Sequence, residues 1–431
     1  MTPQARLSAS IEVLDDILAR RRPAAEALKD WGIAHRFAGS KDRAGIATLV
    51  YDALRRRASA AHVTGAETGR AIMLGMLALQ RGMSVDMIGN LCDASRFAPS
   101  PLTGDERARL SALDLSDAPP HVVGDYPEWI HPQLEAIFGE ALAEEARALA
   151  ERAPLDIRVN LLATDRTALQ DALAFLAPVE TPLSPMGLRV AIGEDGRGPA
   201  LQSEPEFKKG LFEIQDEGSQ LAALLAGARP REQVADLCAG AGGKTLALAA
   251  AMENSGQLYA TDIDSRRLAP IYDRLERASV RNVQVRTPRG EKDPMADLEG
   301  TLDRVVVDAP CTGTGVWRRN PDAKWRLRPG SLSQREQEQA RVLDRAAALV
   351  KPGGRIVYVT CSVLPAENDD AVSGLLSRTD GLSPVPVDRL LAEAGLEALG
   401  PRVRRTAHGL QMSPALTGTD GFYVAALARA P

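Results

Sequence analysis

Apolar side chains recur at intervals of three or four through the first hundred or so residues, which is the spacing of one buried face of an α-helix. Two such stripes are Leu7, Ile11, Leu14, Ile17 and Leu18, and then Ile46, Leu49, Val50 and Leu54. Ser40 stands where it could cap the second helix. The pattern predicts an all-helical amino-terminal domain over residues 1–120.

The periodicity breaks between Pro99 and Pro120, where prolines cluster and few periodic residues intervene. This break predicts a linker. Beyond it, residues 156–160 and 188–192 are typical of short strands, and residues 167–176 of a helix. We therefore expect a linker and a small α/β module over residues 121–205.

From Phe207 onward, strand-like and helix-like segments alternate, which is typical of a parallel sheet with crossover helices. The predicted strands are residues 234–237, 258–261, 283–286, 304–307 and 355–359, with a late edge strand at 421–427. Ligands bind such sheets at the carboxyl ends of the strands. Cys238, Asp262, Asp308 and Cys361 fall at those ends and Cys311 lies just beyond one, so residues 206–431 are the predicted catalytic domain.

A glycine-rich turn follows the first strand of this domain, running from Asp236 to Thr245 and opening a helix. Glycines let the backbone approach a ligand and leave helix amides pointing at it, as nucleotide, phosphate and methyl-donor sites all require. The spacing is not that of a Walker A loop, because Cys238 stands where a glycine is needed. Asp262 ends the next strand, where an acid can receive the ribose diol of NAD or of S-adenosylmethionine.

Two cysteines fifty residues apart, Cys311 in an Asp-Ala-Pro-Cys run and Cys361 in a Thr-Cys-Ser run, distinguish these cofactors. Hydride transfer has no use for such thiols. Carbon 5 of cytosine, in contrast, is too weak a nucleophile to take a methyl group until a thiolate adds to carbon 6. The pair therefore indicates cytosine-5 methylation, and the chemistry alone allows either cysteine to attack.

Composition adds the expected setting of this chemistry. The chain has 431 residues with a net charge of -5, contains no apolar stretch long enough for a bilayer and no signal-like start, and is expected in the cytoplasm. Its four cysteines form no C-x-x-C pair, so neither disulfides nor a metal site is expected.

The net charge argues against nucleic acid, but basic residues are clustered along the chain. The clusters are Arg55, Arg56 and Arg57; Arg318, Arg319, Lys324, Arg326 and Arg328; and Arg402, Arg404 and Arg405. The first triplet fits a solvated face as well as a phosphate contact. The second, which follows Cys311 in sequence, favours contact with phosphates.

Six motifs in order resemble the RsmB/Nop family of RNA cytosine-5 methyltransferases. They are residues 215–219 (QDEGS), 238–245 (CAGAGGKT), 308–315 (DAPCTGTG), 319–325 (RNPDAKW), 358–362 (YVTCS) and 420–422 (DGF). The resemblance covers about residues 150–431, and residues 42–55 are similar to a helix of NusB-type RNA-binding bundles. It implies a Rossmann-like S-adenosylmethionine-dependent methyltransferase core, a NusB-like start, an RNA-binding middle module, and small-subunit ribosomal RNA as substrate.

The resemblance also implies roles for single residues. Cys361 would attack carbon 6, Cys311 would help to release the product, and Asp308 would bind the cytosine edge with Lys244 as a second contact. The donor would lie on Cys238, Ala239, Gly240, Ala241, Gly242, Gly243 and Lys244, with Asp262 on its ribose and Asp308 also in contact. DNA methyltransferases use a Pro-Cys nucleophile, but the Thr-Cys-Ser run favours the RNA order.

Two departures from the family pattern bear on function. Ala241 replaces a proline of the donor loop, which backbone-mediated binding should tolerate. The acid that the family carries after the third strand, at the adenine of the donor, is missing from residues 285–290, and Glu291 is a candidate replacement. A catalytically weakened RNA-binding assembly factor and a DNA cytosine-5 methyltransferase are therefore the alternatives to a monomeric RNA methyltransferase.

Overall fold

The computed structural model describes residues 1–193, 196, 198–288, 290 and 292–431. The chain divides into two compact units. The first contains Met1–Arg152 and Trp317–Arg328, and the second contains Ala153–Gly193, Gly198–Val316 and Pro329–Pro431. The limits of these units differ from the domain borders predicted near residues 120 and 205. The predicted domain borders stay a prediction.

The first unit is helical, as the periodicity predicts. Its helices are α1 (Pro3–Arg20), α2 (Ala24–Ala34), α3 (Ser40–Arg55), α4 (Arg57–Thr64), α5 (Gly69–Leu79), α6 (Val85–Leu91), α7 (Gly104–Ala112), α8 (Pro120–Val123), α9 (His131–Phe138) and α10 (Leu142–Ala150). The predicted stripes face one core, in which Leu14, Ile46 and Leu54 are fully buried. Ser40 is the first residue of α3 rather than its cap, which is Gly39.

The predicted linker between Pro99 and Pro120 is wrong, because α7 lies there. Thr103 accepts a hydrogen bond from the Glu106 amide at 3.1 Å, and the Glu106 carboxylate accepts one from the Thr103 amide at 2.9 Å. This reciprocal capping box satisfies amides that a helix start otherwise leaves without partners. Only Leu110 of α7 is buried, so the helix carries almost no apolar periodicity to reveal it.

The second unit begins with the small module, which is a four-stranded antiparallel sheet in the order β2-β3-β1-β4. Its elements are β1 (Leu155–Val159), α11 (Arg166–Ala172), β2 (Val179–Glu180), β3 (Gly187–Val190), α12 (Pro205–Lys208) and β4 (Phe212–Ile214). The two strands and the helix predicted here are confirmed, within the one to four residues by which such ends vary.

The remaining elements build a larger sheet and its crossover helices. They are α13 (Glu217–Ala226), β5 (Gln233–Asp236), α14 (Gly243–Ala251), β6 (Gln257–Ala260), α15 (Ser265–Leu268), α16 (Ile271–Arg277), β7 (Val283–Val285), β8 (Leu302–Asp308), α17 (Pro321–Arg326, part of the first unit), α18 (Pro329–Leu349), β9 (Val350–Thr360), α19 (Asp369–Arg378), β10 (Leu382–Pro384), α20 (Val387–Glu393), β11 (Arg404–Arg405), β12 (Leu410–Met412), α21 (Pro414–Thr417) and β13 (Phe422–Arg429). Every strand predicted from residue 234 onward is present.

The order of the larger sheet is β11-β12-β13-β9-β8-β5-β6-β7, with β10 paired to β13. Strands β5 to β9 run parallel, and β13 joins β9 antiparallel. The chain winds outward from β5 in both directions, so β5 and β8 flank the point where the winding reverses, and a crevice opens there at their carboxyl ends. In the described part of the chain, no helix is both long and apolar enough to cross a membrane.

The segment Trp317–Arg328 packs within the first unit, although it follows Cys311 closely in sequence. The Trp325 indole donates to the Leu54 carbonyl at 2.7 Å, and Lys324 Nζ donates to the Arg55 carbonyl at 3.0 Å. Arg318 and Lys324 are buried, and Arg55 is buried with its guanidinium on the Arg318 carbonyl. The prediction that Arg318 and Lys324 contact phosphates is therefore wrong, and Arg55 fits neither of the two interpretations left open for its triplet.

Candidate active site

A cleft of about 740 Å³ opens at the carboxyl ends of the parallel strands. Five of the residues predicted from the sequence line it together: Cys238, Asp262, Asp308, Cys311 and Cys361. Its position follows from the sheet, because the ends of neighbouring parallel strands meet at one edge. A volume of this size is ordinary for a small-molecule or cofactor site.

The two cysteines meet in this cleft. Cys361 follows β9 directly and Cys311 follows β8, and these strands pair in parallel with Asp308 opposite Val359. Their sulfur atoms lie 3.3 Å apart, within hydrogen-bond distance for thiols. The hydrogen bond with Cys361 and burial raise the pKa of the Cys311 thiol well above its usual value, so Cys311 holds its proton in this state.

A contact between two glycines fixes the backbone around the cysteines. The Gly315 amide donates to the Cys361 carbonyl at 3.0 Å, and the Gly421 amide donates to the Gly315 carbonyl at 2.9 Å. A Cβ atom on Gly315 would lie 2.3 Å from the Gly421 carbonyl oxygen, closer than a carbon side chain can approach. The motif that ends in Phe422 thereby supports the loop after Cys311.

An ion pair lies beside the cysteines. Lys244 Nζ donates to Asp308 Oδ2 at 2.7 Å, with the Lys244 side chain buried and that of Asp308 about one third exposed. The Lys244 ammonium also lies 5.0 Å from the centre of the Phe422 ring, a cation–π distance. The pair joins the glycine-rich loop to the end of β8 and presents one carboxylate to the cleft.

The glycine-rich loop has the conformation that its sequence predicts. Gly240 and Gly242 adopt φ angles of +50° and +88°, which side-chain-bearing residues seldom reach. The Gly240 amide donates to Asp262 Oδ2 at 2.9 Å, and Arg274 donates to the Ala241 carbonyl at 2.8 Å. Ala241 in place of proline therefore leaves the loop held on both sides.

Two acids flank the loop: Asp236 is buried beneath it, and Asp262 lines the cleft, where it can receive a ribose diol. Asp236 accepts a hydrogen bond from Thr245 at 2.8 Å, while its second carboxylate oxygen has no partner in the described residues. Burial raises the pKa of Asp236 to about 7. Asp262 borders the cleft, and Ile263, 92% exposed, adds an apolar wall. Cys238 also lines the cleft, but burial raises the pKa of its thiol well above the usual value.

The end of the third parallel strand carries a cation where the family has an acid. The Arg286 guanidinium pairs with Asp297 and donates to the Pro294 carbonyl at 3.0 Å, and it lies 4.7 Å from the centre of the Tyr259 ring. Glu291, the candidate replacement for the missing acid, lies outside the described residues.

Three polar residues at the site were not predicted from the sequence. Arg158 of β1 donates to the Gly243 carbonyl at 2.8 Å and to Gln215, and its burial lowers the pKa of Arg158 to about 10. Glu367 and Gln339 are fully buried and bind the loop that carries Cys311. For Arg158, a charged side chain within a predicted strand was the available signal; Glu367 and Gln339 lie in polar runs that give none.

This combination defines a class of protein. A Rossmann-like sheet carries a glycine-rich loop after β5, an acid after β6 and a cysteine pair after β8 and β9. The chain is an S-adenosylmethionine-dependent methyltransferase.

Comparison with known proteins gives the family. Residues 223–428 match the family model described as 16S rRNA methyltransferase RsmB/F. The ribosomal RNA small subunit methyltransferase B of Sodalis glossinidius is 32% identical over 81% of this chain and 74% of its own length. The probable enzyme of that name from Synechocystis is 29% identical over 82% of this chain and 78% of its own length.

A solved structure, a methyltransferase homologue from Pyrococcus horikoshii, is 26% identical and superposes with a TM-score of 0.58 over 72% of this chain and 97% of its own length. The chain belongs to the RsmB/F family of ribosomal RNA methyltransferases, within the broader RsmB/Nop group. The NusB-like character of the first unit stays a prediction.

Proposed function

We propose that this protein forms 5-methylcytosine in small-subunit ribosomal RNA through a covalent intermediate on Cys361. The observation that carries the proposal is the pair of thiols, 3.3 Å apart, in a cleft that also holds the carboxylate of Asp308. A methyltransferase that acts on a nitrogen or oxygen atom needs no such pair. Activation of carbon 5 needs one thiol to add and a second group to assist release.

Cys361 is the nucleophile in this proposal. Its thiolate adds to carbon 6, and the electrons of the carbon 5–carbon 6 double bond become available at carbon 5. Asp308, held by Lys244, binds the edge of the cytosine and orients the ring for attack. S-adenosylmethionine, when bound, supplies the electrophilic methyl group that carbon 5 takes up.

Cys311 removes the remaining proton from carbon 5. The electrons of that C–H bond restore the ring double bond, and the sulfur–carbon 6 bond breaks with its electrons returning to Cys361. Before attack the hydrogen bond with Cys361 is the largest cause of the raised pKa of Cys311. Once Cys361 is a neutral thioether that cause is gone while burial remains, so the pKa of Cys311 falls. Cys311 then releases its proton to solvent more readily than before attack and acts as the base. One proton leaves per methyl group transferred, and both cysteines return to their starting states.

The glycine-rich loop indicates where in the cleft the methyl donor would bind. Backbone groups of Cys238, Ala239, Gly240, Ala241, Gly242, Gly243 and Lys244 would contact the donor, with Asp262 on its ribose and Asp308 where donor and base meet. Arg286 at the end of β7 leaves the adenine without the family's acid, and this observation favours the alternative of a weakened, scaffold-like protein. Calorimetric titration with S-adenosylmethionine separates the two: micromolar binding supports the enzyme, and no binding supports the scaffold.

Residues on α18 take the place of Arg318 and Lys324 as proposed phosphate contacts. Arg335 and Arg341 line the cleft, and Arg341 has no ion-pair partner within the described ranges. A base that reaches the cysteines must leave its stack, so an unpaired cytosine is the preferred target.

The product itself tests the proposal. Small-subunit rRNA from a deletion strain, incubated with the protein and S-adenosylmethionine, should yield 5-methylcytidine on nucleoside mass spectrometry, and bisulfite sequencing should locate it. Matched DNA should not react. A methylated nucleoside other than 5-methylcytidine, or a preference for DNA, would contradict the proposal.

A further inference from the structure

Two neighbouring buried residues, Glu367 and Asn368, contact the segments that carry the two cysteines. Glu367 is the last residue of a short 3₁₀ turn, Pro365–Glu367, and Asn368 follows it immediately before α19. The side chain of Glu367 is fully buried, and that of Asn368 is 3% exposed. Neither lines the cleft, so neither can touch the base or the donor directly.

Glu367 binds the Cys311 side. Its carboxylate accepts hydrogen bonds from the Thr312 amide at 2.8 Å and from the Thr312 hydroxyl. It also accepts one at 3.1 Å from Gln339, whose amide group donates to the Pro310 carbonyl at 2.9 Å as well. Thr312, after Cys311, is therefore bound directly to the Glu367 carboxylate, and Pro310, before Cys311, is bound to it through Gln339.

Asn368 binds the Cys361 side. Its carbonyl oxygen accepts a hydrogen bond from the Thr360 hydroxyl at 2.6 Å, and its amide group donates to the Ser362 carbonyl at 3.1 Å. The same amide donates to Gln411 at 2.9 Å. Thr360 and Ser362 flank Cys361, so Asn368 clamps the nucleophile from both sides.

A carboxylate without donors is costly to bury, and a buried amide needs both a donor and an acceptor site. Each side chain has most of these partners on one cysteine segment, or through Gln339 and Gln411 beside it. The Glu367 carboxylate also has a hydrogen bond with the Ser362 side chain, beside Cys361. The sulfur atoms can lie 3.3 Å apart only if both segments are held in place. Both cysteines lie beyond the ends of their strands, so strand geometry alone does not set their positions.

We propose that Glu367 and Asn368 are positioning residues with different main targets: Glu367 chiefly holds Cys311 for product release, and Asn368 holds Cys361 for attack. This inference rests on the proposed division of labour between the cysteines. It follows that damage to one residue slows one half of the reaction. Without Glu367 the adduct forms and methylates but loses its carbon 5 proton slowly, and without Asn368 the adduct itself forms slowly.

The test compares Glu367→Gln with Asn368→Ala in the full chain, using an RNA with a reactive cytosine and S-adenosylmethionine. Glutamine offers one acceptor oxygen where the carboxylate offers two, so one donor of the Cys311 loop loses its partner. We expect Glu367→Gln to accumulate a covalent protein–RNA complex on a denaturing gel, with an adduct lifetime about ten- to a hundredfold longer than that of the wild type. Asn368→Ala should form the complex about ten- to a hundredfold more slowly than the wild type, and no complex should accumulate.

Thr312→Val gives a second variant of the same interaction if Glu367→Gln folds poorly. It removes the hydroxyl that donates to Glu367 and should also trap the adduct, whereas Thr312→Ser keeps the hydroxyl and should turn over normally. General destabilisation would affect Glu367 and Asn368 variants alike and cannot produce opposite changes in adduct level.

Cys311→Ala and Cys361→Ala are run beside these variants. They distinguish a failure of the positioning role from a failure of the proposed function. If Cys311→Ala traps the adduct but Glu367→Gln and Thr312→Val do not, the positioning role is overturned while the proposed function stands. The role is also overturned if Asn368→Ala traps as much adduct as Glu367→Gln. If Cys311→Ala traps none, the proposed function fails first.

Discussion

At the scale of single residues, Asp262 is the side chain proposed to bind the ribose of the methyl donor. Asp262→Asn should remove a charge-assisted hydrogen bond to the ribose diol, worth roughly 1.5–3 kcal/mol, and raise the dissociation constant for S-adenosylmethionine about tenfold to a hundredfold. Calorimetry measures this directly. Asp264→Ala is the matched control, because Asp264 caps α15 without lining the cleft. Equal affinity in wild type and Asp262→Asn would remove Asp262 from the donor site.

Asp236 makes stability depend on pH. Its pKa rises from 3.8 to about 7 in the folded protein because of burial, so the folded state keeps a proton that the unfolded state loses between these values. Stability should therefore fall as pH rises from about 4 to about 7, by at most roughly 4 kcal/mol. Urea unfolding at pH 5 and pH 7.5 should show a smaller pH effect in Asp236→Asn than in the wild type. An unchanged pH effect would mean that Asp236 is ionised throughout.

The residues that sequence could identify are those whose chemistry is written in short runs. Cys311 and Cys361 each follow a strand, so their meeting could be predicted from topology. Glu367 and Gln339 could not be identified from the sequence. The hydrogen bond between Thr312 and Glu367 joins residues 55 positions apart, and the one between Gln339 and Glu367 joins residues 28 positions apart. No local sequence pattern encodes such interactions.

At the scale of elements, α18 is the candidate RNA-binding helix. Arg335→Ala with Arg341→Ala should weaken RNA binding and flatten its dependence on salt, by about 0.7 of a log unit for each single-strand phosphate that is no longer neutralised. Arg345, one turn beyond Arg341 on the same helix, pairs with Asp293 and Glu299 and gives the control. Binding titrations in increasing salt should leave Arg345→Ala with the slope of the wild type. The same slope in the α18 double variant would exclude this helix.

The elements themselves show what hydrophobic patterns can and cannot predict. The central parallel strands β5, β8 and β9 were predictable because each contains a short apolar run that is largely buried on both faces. Helix α7 was not, because its start is fixed by the Thr103–Glu106 capping box and a single side chain of it is buried. Arg318 and Lys324 look like surface charges in the sequence, and only their packing within the first unit reveals them as internal.

At the scale of the whole molecule, the segment Trp317–Arg328 makes the predicted catalytic domain depend on the amino-terminal residues. Trp317 and Lys324 are 3% and 2% exposed within the first unit. A chain shortened to residues 153–431 should leave this segment open to trypsin at Arg318 and Lys324, whereas the full chain should resist cleavage there. Arg281, exposed in the second unit, is a reference site for both chains. Equal protection of the segment in the two chains would show that the second unit holds it alone.

The covalent adduct gives the sharpest test of catalysis by the two thiols. Cys311→Ala, Cys361→Ala and the double variant are incubated with RNA and S-adenosylmethionine and run on a denaturing gel. We expect a protein–RNA complex that persists in Cys311→Ala and is absent from both variants that lack Cys361. A complex that persists in Cys361→Ala and vanishes in Cys311→Ala would reverse the roles, and no complex in any variant would contradict covalent catalysis altogether.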